Sequence, residues 1–196
     1  SNSTFFKYKL TNGNFISKMA NKITQPKEFP EKAFAIIEIP KGSENKYEMD
    51  KESGLLKLDR PLFSCVHYPG DYGYIPETLW EDNDPIDILI LTSHPVYPLT
   101  LAKVRIIGVL DMQDDKESDV KLIAVYDSDP RYQEHLEISD MPSHKLKEII
   151  HFFESYKHLQ NKKVKIKSIK GKQEAIKILE KSKDLYLKNV NWINAL

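Results

Sequence analysis

The chain has 196 residues, of which 40% are apolar, and this is enough for one domain with a hydrophobic core. Its 29 lysine and arginine residues balance its 29 aspartate and glutamate residues, so no overall basic charge points to nucleic acid as a partner. The single cysteine, Cys65, excludes an intrachain disulfide framework and indicates a reducing compartment. No segment approaches the roughly 20 apolar residues of a membrane span, so no membrane contact is expected.

The first 27 residues differ in composition from the rest of the chain. Their only charged residues are five lysines, and the first acidic residue is Glu28. Acid-free segments of this kind are similar to organellar transit peptides, although arginine is missing here. We expect residues 1–27 to form a flexible N-terminal extension and residues 28–196 to form a single domain. The expected location is the cytoplasm, with an organelle as the alternative if residues 1–27 act as a transit peptide.

Short segments rich in β-branched and aromatic residues follow one another from Ala33 onward. They predict strands over residues 33–39, 46–50, 55–58, 62–68, 86–92, 101–110 and 119–126. Strands at this short spacing, without connecting helices, favour a closed or nearly closed barrel over an open parallel sheet. Cys65 falls inside the fourth segment and is expected to be a small apolar residue of that strand.

The C-terminal part of the chain has helical periodicity instead. Ser143 is expected to cap a first helix, whose apolar residues recur at helical spacing up to Phe153. A second helix is predicted from Lys172, directly after Gly171, to about Lys188. The fold class that we expect is therefore α+β and mainly β, with a β-barrel followed by two helices.

Four acidic residues fall within the seven positions from Glu81 to Asp87. Asp, Asn and Pro are ordinary turn formers, so a solvated turn is one interpretation. Two like charges about 4 Å apart cost on the order of 4 kcal/mol at an effective dielectric constant near 20, so convergence on one point would require a cation or a shared proton. An EF-hand loop does not fit, because its twelfth position would be Ser93. Oxygen ligands without paired Cys or His favour a hard cation such as Mg²⁺ or Mn²⁺, and the cluster alone leaves both interpretations open.

Two further segments place acids beside lysines. Asp119 and Lys121 are two residues apart on a predicted strand and therefore share one face, although a solvated hairpin loop is the simpler interpretation of residues 111–121. Lys46, Glu48 and Asp50 share a face in the same way. An acid next to an ammonium group can serve a metal ion and the phosphate that the ion binds.

Taken together, these motifs match one family in order and spacing. The matching segments are Ile37-Glu38-Ile39-Pro40, Lys46-Tyr47-Glu48, Asp50 to Gly54, Asp59-Arg60, Tyr68 to Tyr74, Asp82 to Asp87, Asp114 to Lys121 and Phe152 to Lys157. From about Phe34 to Leu159 the chain resembles the soluble family I inorganic pyrophosphatases. The resemblance implies an OB-like closed five-stranded β-barrel with extra strands and flanking helices.

The resemblance also implies an activity and a site. The implied enzyme is an inorganic diphosphatase, which hydrolyses pyrophosphate to two orthophosphates by direct attack of a metal-bound hydroxide, with several Mg²⁺ ions or Mn²⁺ as a possible substitute. Asp84 would orient or deprotonate the attacking water. The implied metal ligands are Asp82, Asp87, Asp114, Asp119, Glu38 and Glu48. The implied phosphate ligands are Lys46, Arg60, Tyr72, Lys121, Tyr156 and Lys157. A homohexamer is the expected assembly, and Asn83 stands where many family members have glycine.

Two other functions compete with this one. A non-enzymatic OB-like module could bind single-stranded nucleic acid by stacking bases on Tyr68, Tyr72 and Tyr74, but the acids of residues 82–87 would repel its phosphates. A structural subunit with an enzyme-like fold is disfavoured because no candidate catalytic position has been lost.

Overall fold

The computed structural model describes residues 23–115 and 117–195, so most of the predicted extension lies outside the described residues. The described strands are β1 Lys32–Ile39, β2 Asn45–Met49, β3 Leu56–Pro61, β4 Asp71–Tyr74, β5 Asp87–Leu91, β6 Leu101–Asp114, β7 Glu117–Tyr126 and β8 Val164–Gly171. The α-helices are α1 Ser143–Ser155 and α2 Lys172–Ala195, and short 3₁₀ turns occupy Pro130–Tyr132, Ile138–Asp140 and His158–Gln160.

Five strands close into a ring. They are hydrogen-bonded in the order β1-β4-β5-β7-β6, and the first part of β6 pairs back with β1. All of these pairs are antiparallel except β5 with β7. Closure leaves no free edge in this part of the sheet. The predicted closed five-stranded barrel is confirmed in this respect.

The ring depends on one very close contact between backbones. Gly73 of β4 pairs with Ile37 of β1, and a Cβ atom at Gly73 would lie 1.9 Å from the carbonyl oxygen of Ile36. No side chain fits at that distance. Glycine at position 73 is therefore what lets β1 and β4 approach each other.

The sheet buries apolar residues on both faces because side chains alternate along each strand. On β5, Ile88 and Ile90 belong to one core cluster, and Leu89 and Leu91 belong to the other. The first cluster includes Ala175 and Leu179 of α2, and the second includes Ile149, Phe152 and Phe153 of α1. Each fully buried large side chain contributes roughly 1.5–3 kcal/mol. The two helices thus cover opposite faces of the strands that carry the site.

Two elements lie outside the ring. Strands β2 and β3 form a separate hairpin. Strand β8 pairs with the second half of β6 and ends the six-stranded sheet. Lys165, Lys167 and Lys170 of β8 are exposed, whereas Val164 and Ile166 are partly buried. No helix in the described part of the chain is long and apolar enough to cross a membrane.

Several local predictions were wrong. Residues 62–68 form an irregular segment, in which only Leu62 and Tyr68 are buried and their N–H groups donate to the carbonyls of Glu44 and Ser43. Cys65 is consequently exposed and does not lie in a strand.

The other corrections concern the bounds of elements. Strands β4 and β8 were not predicted. The first helix has Pro142 at its N-cap and no side-chain cap, so Ser143 is its first residue. Helix α2 continues past Lys188 to Ala195.

Candidate active site

A cavity of about 940 Å³ opens beside the hairpin β2–β3 and is lined by residues from the ring, from both helices and from the loop before β5. The structure brings all of the predicted site residues except Arg60 into its wall. Those residues are Glu38, Lys46, Glu48, Tyr72, Asp82, Asp84, Asp87, Asp114, Asp119, Lys121, Tyr156 and Lys157. Residues separated by more than a hundred positions in the chain therefore share one cavity.

The parallel strands β5 and β7 supply the central charges. Asp87 and Lys121 are direct partners in this pair, and Asp119 lies two residues earlier on the same face of β7. The Lys121 ammonium donates to Asp87 Oδ2 at 2.9 Å and to Asp119 Oδ1 at 2.8 Å. Burial alone would lower the pKa of Lys121, but the charges of Asp87 and Asp119 raise it well above its usual range. Lys121 therefore stays charged although it is only 4% exposed.

Two buried tyrosines stand next to this group. Tyr72 and Tyr156 are 7% and 5% exposed, and the Lys121 ammonium lies 5.5 Å from the centre of the Tyr72 ring. Burial raises the pKa of both phenols. They therefore keep their protons and can donate hydrogen bonds to an anion.

The acidic turn is built from local hydrogen bonds. The N–H of Asn83 donates to the carbonyl of Trp80 at 3.0 Å, and the N–H of Trp80 donates to the carbonyl of Asp84 at 2.8 Å. Asn83 has a φ of +64°, a conformation that favours Gly and Asn, so asparagine suits this position of the turn. Burial raises the pKa of Asp82, and the charges of Asp84 and Asp87 act in the same direction.

Asp84 lies at the outer end of this turn. Its carboxylate accepts a hydrogen bond of 2.9 Å from Lys51. The side chains of Lys51 and Asp84 are 61% and 60% exposed. Its N–H donates to Asp82 Oδ1 at 3.0 Å. Asp84 is thus an exposed acid on a turn whose backbone is held by hydrogen bonds.

Glu38 of β1 also lines the cavity. It accepts a hydrogen bond of 2.8 Å from the N–H of Met49. Burial raises the pKa of Glu38 to about 8; the Met49 hydrogen bond opposes this shift, and the charges of Asp87 and Glu48 add to it. Acids held this closely favour a neutralising partner.

The end of β6 and the turn after α1 bring together another pair. The Lys157 ammonium contacts the Asp114 carboxylate, and the two side chains are 14% and 19% exposed. In the hairpin, Lys46 contacts Glu48 and lies 3.2 Å from Asp59. Arg60 also contacts Asp59 and stays outside the cavity wall.

The chemistry of the candidate ligands indicates whether a metal ion fits the cavity. Within residues 23–115 and 117–195, no three His, Cys, Asp or Glu side chains converge as a ready-made metal cluster. Asp84, Asp87, Asp114 and Asp119 each contact a lysine instead. All of the candidate donors are nevertheless carboxylate oxygens, which suit hard cations. The residues present therefore fit a hard metal ion together with a phosphate for the lysines.

Some cavity residues were missed by sequence reasoning. Lys162, Tyr186 and Asn189 line the cavity, although residues 161–196 match the family motifs only weakly. Glu77 also lines it. Nothing in the sequence places Tyr186 and Asn189 beside the aspartates, because only the path of α2 brings them there.

Two of the three tyrosines that a nucleic-acid module would need, Tyr68 and Tyr72, are not accessible for stacking. Tyr68 is 1% exposed and Tyr72 is 7% exposed. Their rings lie 5.5 Å apart and pack with Phe152 and Phe153 of α1. Bases cannot stack on rings that already belong to the core.

Comparison with known proteins identifies the family. The family model described as inorganic pyrophosphatase matches residues 35–187. The inorganic pyrophosphatase of Geobacillus stearothermophilus is 51% identical over 146 residues, which cover 74% of this chain and 88% of that protein. The soluble inorganic pyrophosphatase 1 of Arabidopsis thaliana is 46% identical over 151 residues, covering 77% and 71%. The crystal structure of the Thermus thermophilus inorganic pyrophosphatase superposes with a TM-score of 0.81 at 40% identity, covering 84% of this chain and 96% of that chain.

The five-stranded ring has the OB-like fold of that structure, and together with the cavity and the comparisons it defines a phosphohydrolase. The chain belongs to the inorganic pyrophosphatase family, as one of the soluble family I members. It is a hydrolase that splits pyrophosphate, the reaction of this metal-dependent family. The resemblance in the sequence is confirmed.

Proposed function

We propose that the cavity beside β5 and β7 hydrolyses pyrophosphate with Mg²⁺ as the cofactor, and that Mn²⁺ can replace it. The observation that carries this proposal is the buried Lys121, which lies between Asp87 and Asp119 in the cavity wall. An ammonium group held between two carboxylates can turn to a phosphate when cations neutralise those carboxylates.

Six carboxylates would hold the metal ions. They are those of Asp82, Asp87, Asp114, Asp119, Glu38 and Glu48, all of which line the cavity. Bound Mg²⁺ neutralises part of the pyrophosphate charge and lowers the pKa of water. The raised pKa of Glu38, caused by burial and by the neighbouring Asp87 and Glu48, supports a cation near these acids.

The phosphate groups would bind to cations and hydroxyls of the chain itself. Their ligands are Lys46, Arg60, Lys121, Lys157, Tyr72 and Tyr156. Arginine can bind two oxygens through its fork, whereas lysine acts as a point charge. Charge that develops on the transferring phosphoryl group is stabilised best by donors that are already in place. The burial of Lys121, Tyr72 and Tyr156 supports such a fixed arrangement.

Asp84 would accept the proton from the attacking water. Its accessibility and its place on a fixed turn allow the carboxylate to reach a water inside the cavity. Positioned carboxylates of this kind commonly contribute about 10²–10⁴-fold to a rate. Lys51 would shift away from Asp84 during this step.

We also propose the partners, the assembly and the location of the protein. The partners are pyrophosphate and phosphate, without nucleic acid or membrane, and the assembly is a homohexamer. Residues 28–196 act as one catalytic domain in the cytoplasm, or in an organelle if residues 1–27 act as a transit peptide. The free thiol of Cys65 supports a reducing compartment. Light scattering at several concentrations tests the hexamer, since a mass of one or two chains would contradict it.

The cofactor and site are tested by phosphate release from pyrophosphate. Protein treated with EDTA should release almost no phosphate, and added Mg²⁺ should restore release, with Mn²⁺ restoring part of it and Ca²⁺ inhibiting. Asp87→Ala should need more Mg²⁺ for half activation than the matched cavity variant Glu52→Gln. Full release in EDTA, or an unchanged Mg²⁺ requirement in Asp87→Ala, would contradict the proposal.

A further inference from the structure

Helix α2 binds the loop that carries the acidic turn. Residues 75–86 connect β4 to β5. The Lys183 ammonium donates to Glu77 Oε2 at 2.6 Å, and these side chains are 21% and 17% exposed. Two residues earlier in α2, Lys181 donates to Glu81 Oε1 at 2.7 Å. Two consecutive parts of the loop are therefore paired with one helix.

The backbone and an aromatic ring strengthen this connection. The N–H of Leu79 donates to the carbonyl of Ser182 at 2.9 Å, and Ser182 is fully buried. The Lys181 ammonium lies 4.7 Å from the centre of the Trp80 ring, within cation–π range. The loop therefore contacts α2 through charges, a backbone hydrogen bond and an aromatic side chain.

The contacts continue from the helix to the acids. Lys181 contacts the Trp80 ring. The backbone N–H of Trp80 donates to the carbonyl of Asp84, and the backbone carbonyl of Trp80 accepts from the N–H of Asn83. The Thr78 hydroxyl accepts from the N–H of Ile86 at 3.0 Å. The loop is thus tied internally, so a shift at Glu77 or Glu81 would be passed to Asp82 and Asp84.

The loop also adopts backbone conformations that need support. Glu77 has a φ of +58° and Asn83 a φ of +64°. Asparagine tolerates this conformation, but for a glutamate it is strained and persists only when the surroundings hold it. For Glu77, the surrounding contact is the ion pair with Lys183.

We propose that α2 is a positioning element of the catalytic site. Lys183 and Lys181 act through Glu77 and Glu81 to hold Asp82 and Asp84 in place before a metal ion or pyrophosphate binds. Neither lysine has to touch the substrate. This inference rests on the proposed roles of Asp82 and Asp84, but the order of the loop can be measured without any activity.

The competing explanation is that these pairs only attach α2 to the domain. The apolar residues Ala175 and Leu179 already anchor the helix in the core. If the pairs were mere attachments, removing one would lower the stability of the whole domain or change nothing. If they position the loop, removal should loosen residues 75–86 and leave the ring intact.

The first experiment is amide hydrogen exchange of the metal-free protein, comparing Lys183→Met with the native chain. Exchange in peptides covering residues 76–86 should become at least about tenfold faster, as expected when a local contact is lost. Exchange in β6 and β7 should stay the same. The matched control is Lys177→Met, because Lys177 pairs only with Glu174 of α2 itself at 3.1 Å among the described contacts.

The second experiment measures metal binding and turnover. In Lys183→Met the Mg²⁺ concentration for half activation should rise. The value of kcat should fall by a larger factor than the factor by which KM changes. Lys183→Arg should restore both values. Glu77→Gln, which breaks the same pair without leaving an unpaired carboxylate, should give the same pattern if Lys183→Met folds poorly.

Three results would overturn the inference. They are unchanged exchange of residues 76–86 in both variants, an equal rise of exchange across the whole sheet, and faster loop exchange with unaltered Mg²⁺ activation. The proposed role of Asp84 is tested separately by Asp84→Asn, so its failure would be distinguishable from failure of the α2 inference.

Discussion

Arg60 lies directly opposite Lys46 in the β2–β3 hairpin, and both cations contact the carboxylate of Asp59. Lys46 reaches the cavity, whereas Arg60 does not line it. Asp59 therefore sits between a cation inside the cavity wall and one just outside it. Arg60 would have to leave Asp59 to bind a phosphate.

Arg60→Lys tests whether that movement occurs. We expect the KM for pyrophosphate to rise about tenfold, because a lysine keeps the charge but loses the two-oxygen fork. Steady-state kinetics in saturating Mg²⁺ measure this change. The matched control is Lys57→Arg, which alters an exposed cation of the same strand. An unchanged KM would leave Arg60 as a structural partner of Asp59 alone.

Lys121→Met removes the central cation. We expect the metal-free protein to lose about 3 kcal/mol of stability, because Asp87 and Asp119 lose their shared partner. Saturating Mg²⁺ should recover part of this loss, since cations would neutralise the same acids. Urea unfolding in EDTA and in Mg²⁺ measures the difference. Lys103→Met, which breaks partly exposed pairs with Glu28 and Asp127, should cost less than about 1 kcal/mol in both conditions.

The recovery of stability in Mg²⁺ tests whether cations bind beside these two acids. An equal loss of stability with and without Mg²⁺ would mean that cations do not bind next to Asp87 and Asp119.

Asp84→Asn should separate proton transfer from metal binding. We expect kcat to fall by roughly 10²–10⁴-fold, with little change in the Mg²⁺ concentration for half activation. Phosphate release across a Mg²⁺ titration gives both quantities. Glu52→Gln, at another exposed position of the cavity wall, should change neither. Near-normal turnover of Asp84→Asn would remove this residue from its proposed role.

Glu38 should make the metal-free protein sensitive to pH. Its pKa is raised by burial from 4.5 to about 8, so the folded state binds this proton more tightly than the unfolded state. The resulting stability is fully present below the unfolded pKa and is lost as the pH rises through about 8. In EDTA, the stability of the native chain relative to Glu38→Gln should therefore fall between about pH 5 and pH 8 and then level off.

Urea unfolding of both proteins at a series of pH values measures this difference. Glu117→Gln, a substitution at an exposed cavity residue, serves as the control. A difference between native and Glu38→Gln protein that does not vary with pH would contradict the assignment.

The sequence predicted the ring because its strands are apolar and closely spaced, but two strands escaped this pattern. Residues 71–74 contain a glycine after a Pro-Gly pair, and no strand was predicted there. Gly73 instead allows β4 to lie against β1, which is a requirement of tertiary packing. In β8, lysines alternate with half-buried residues, so its apolar signal is weak. Residues 62–68 show the opposite error, since an apolar segment does not become a strand without a partner.

The candidate site was predictable only as a set of motifs. Local reasoning left the aspartates of residues 82–87 between a solvated turn and a metal site, and the family resemblance decided between them. Neither source indicated that Lys121 would lie between two of the acids. Nor did they indicate Tyr186 and Asn189, because their approach to the cavity depends on the length and direction of α2.

The outer edge of β8 has a consequence for how copies of the chain meet. Among the described residues strand β8 ends the sheet, and a sheet edge without a partner is a template on which another chain can add a strand. Its exposed lysines Lys165, Lys167 and Lys170 would bring like charges together in such a contact. At high protein concentration this repulsion would disfavour amyloid-like growth from the edge.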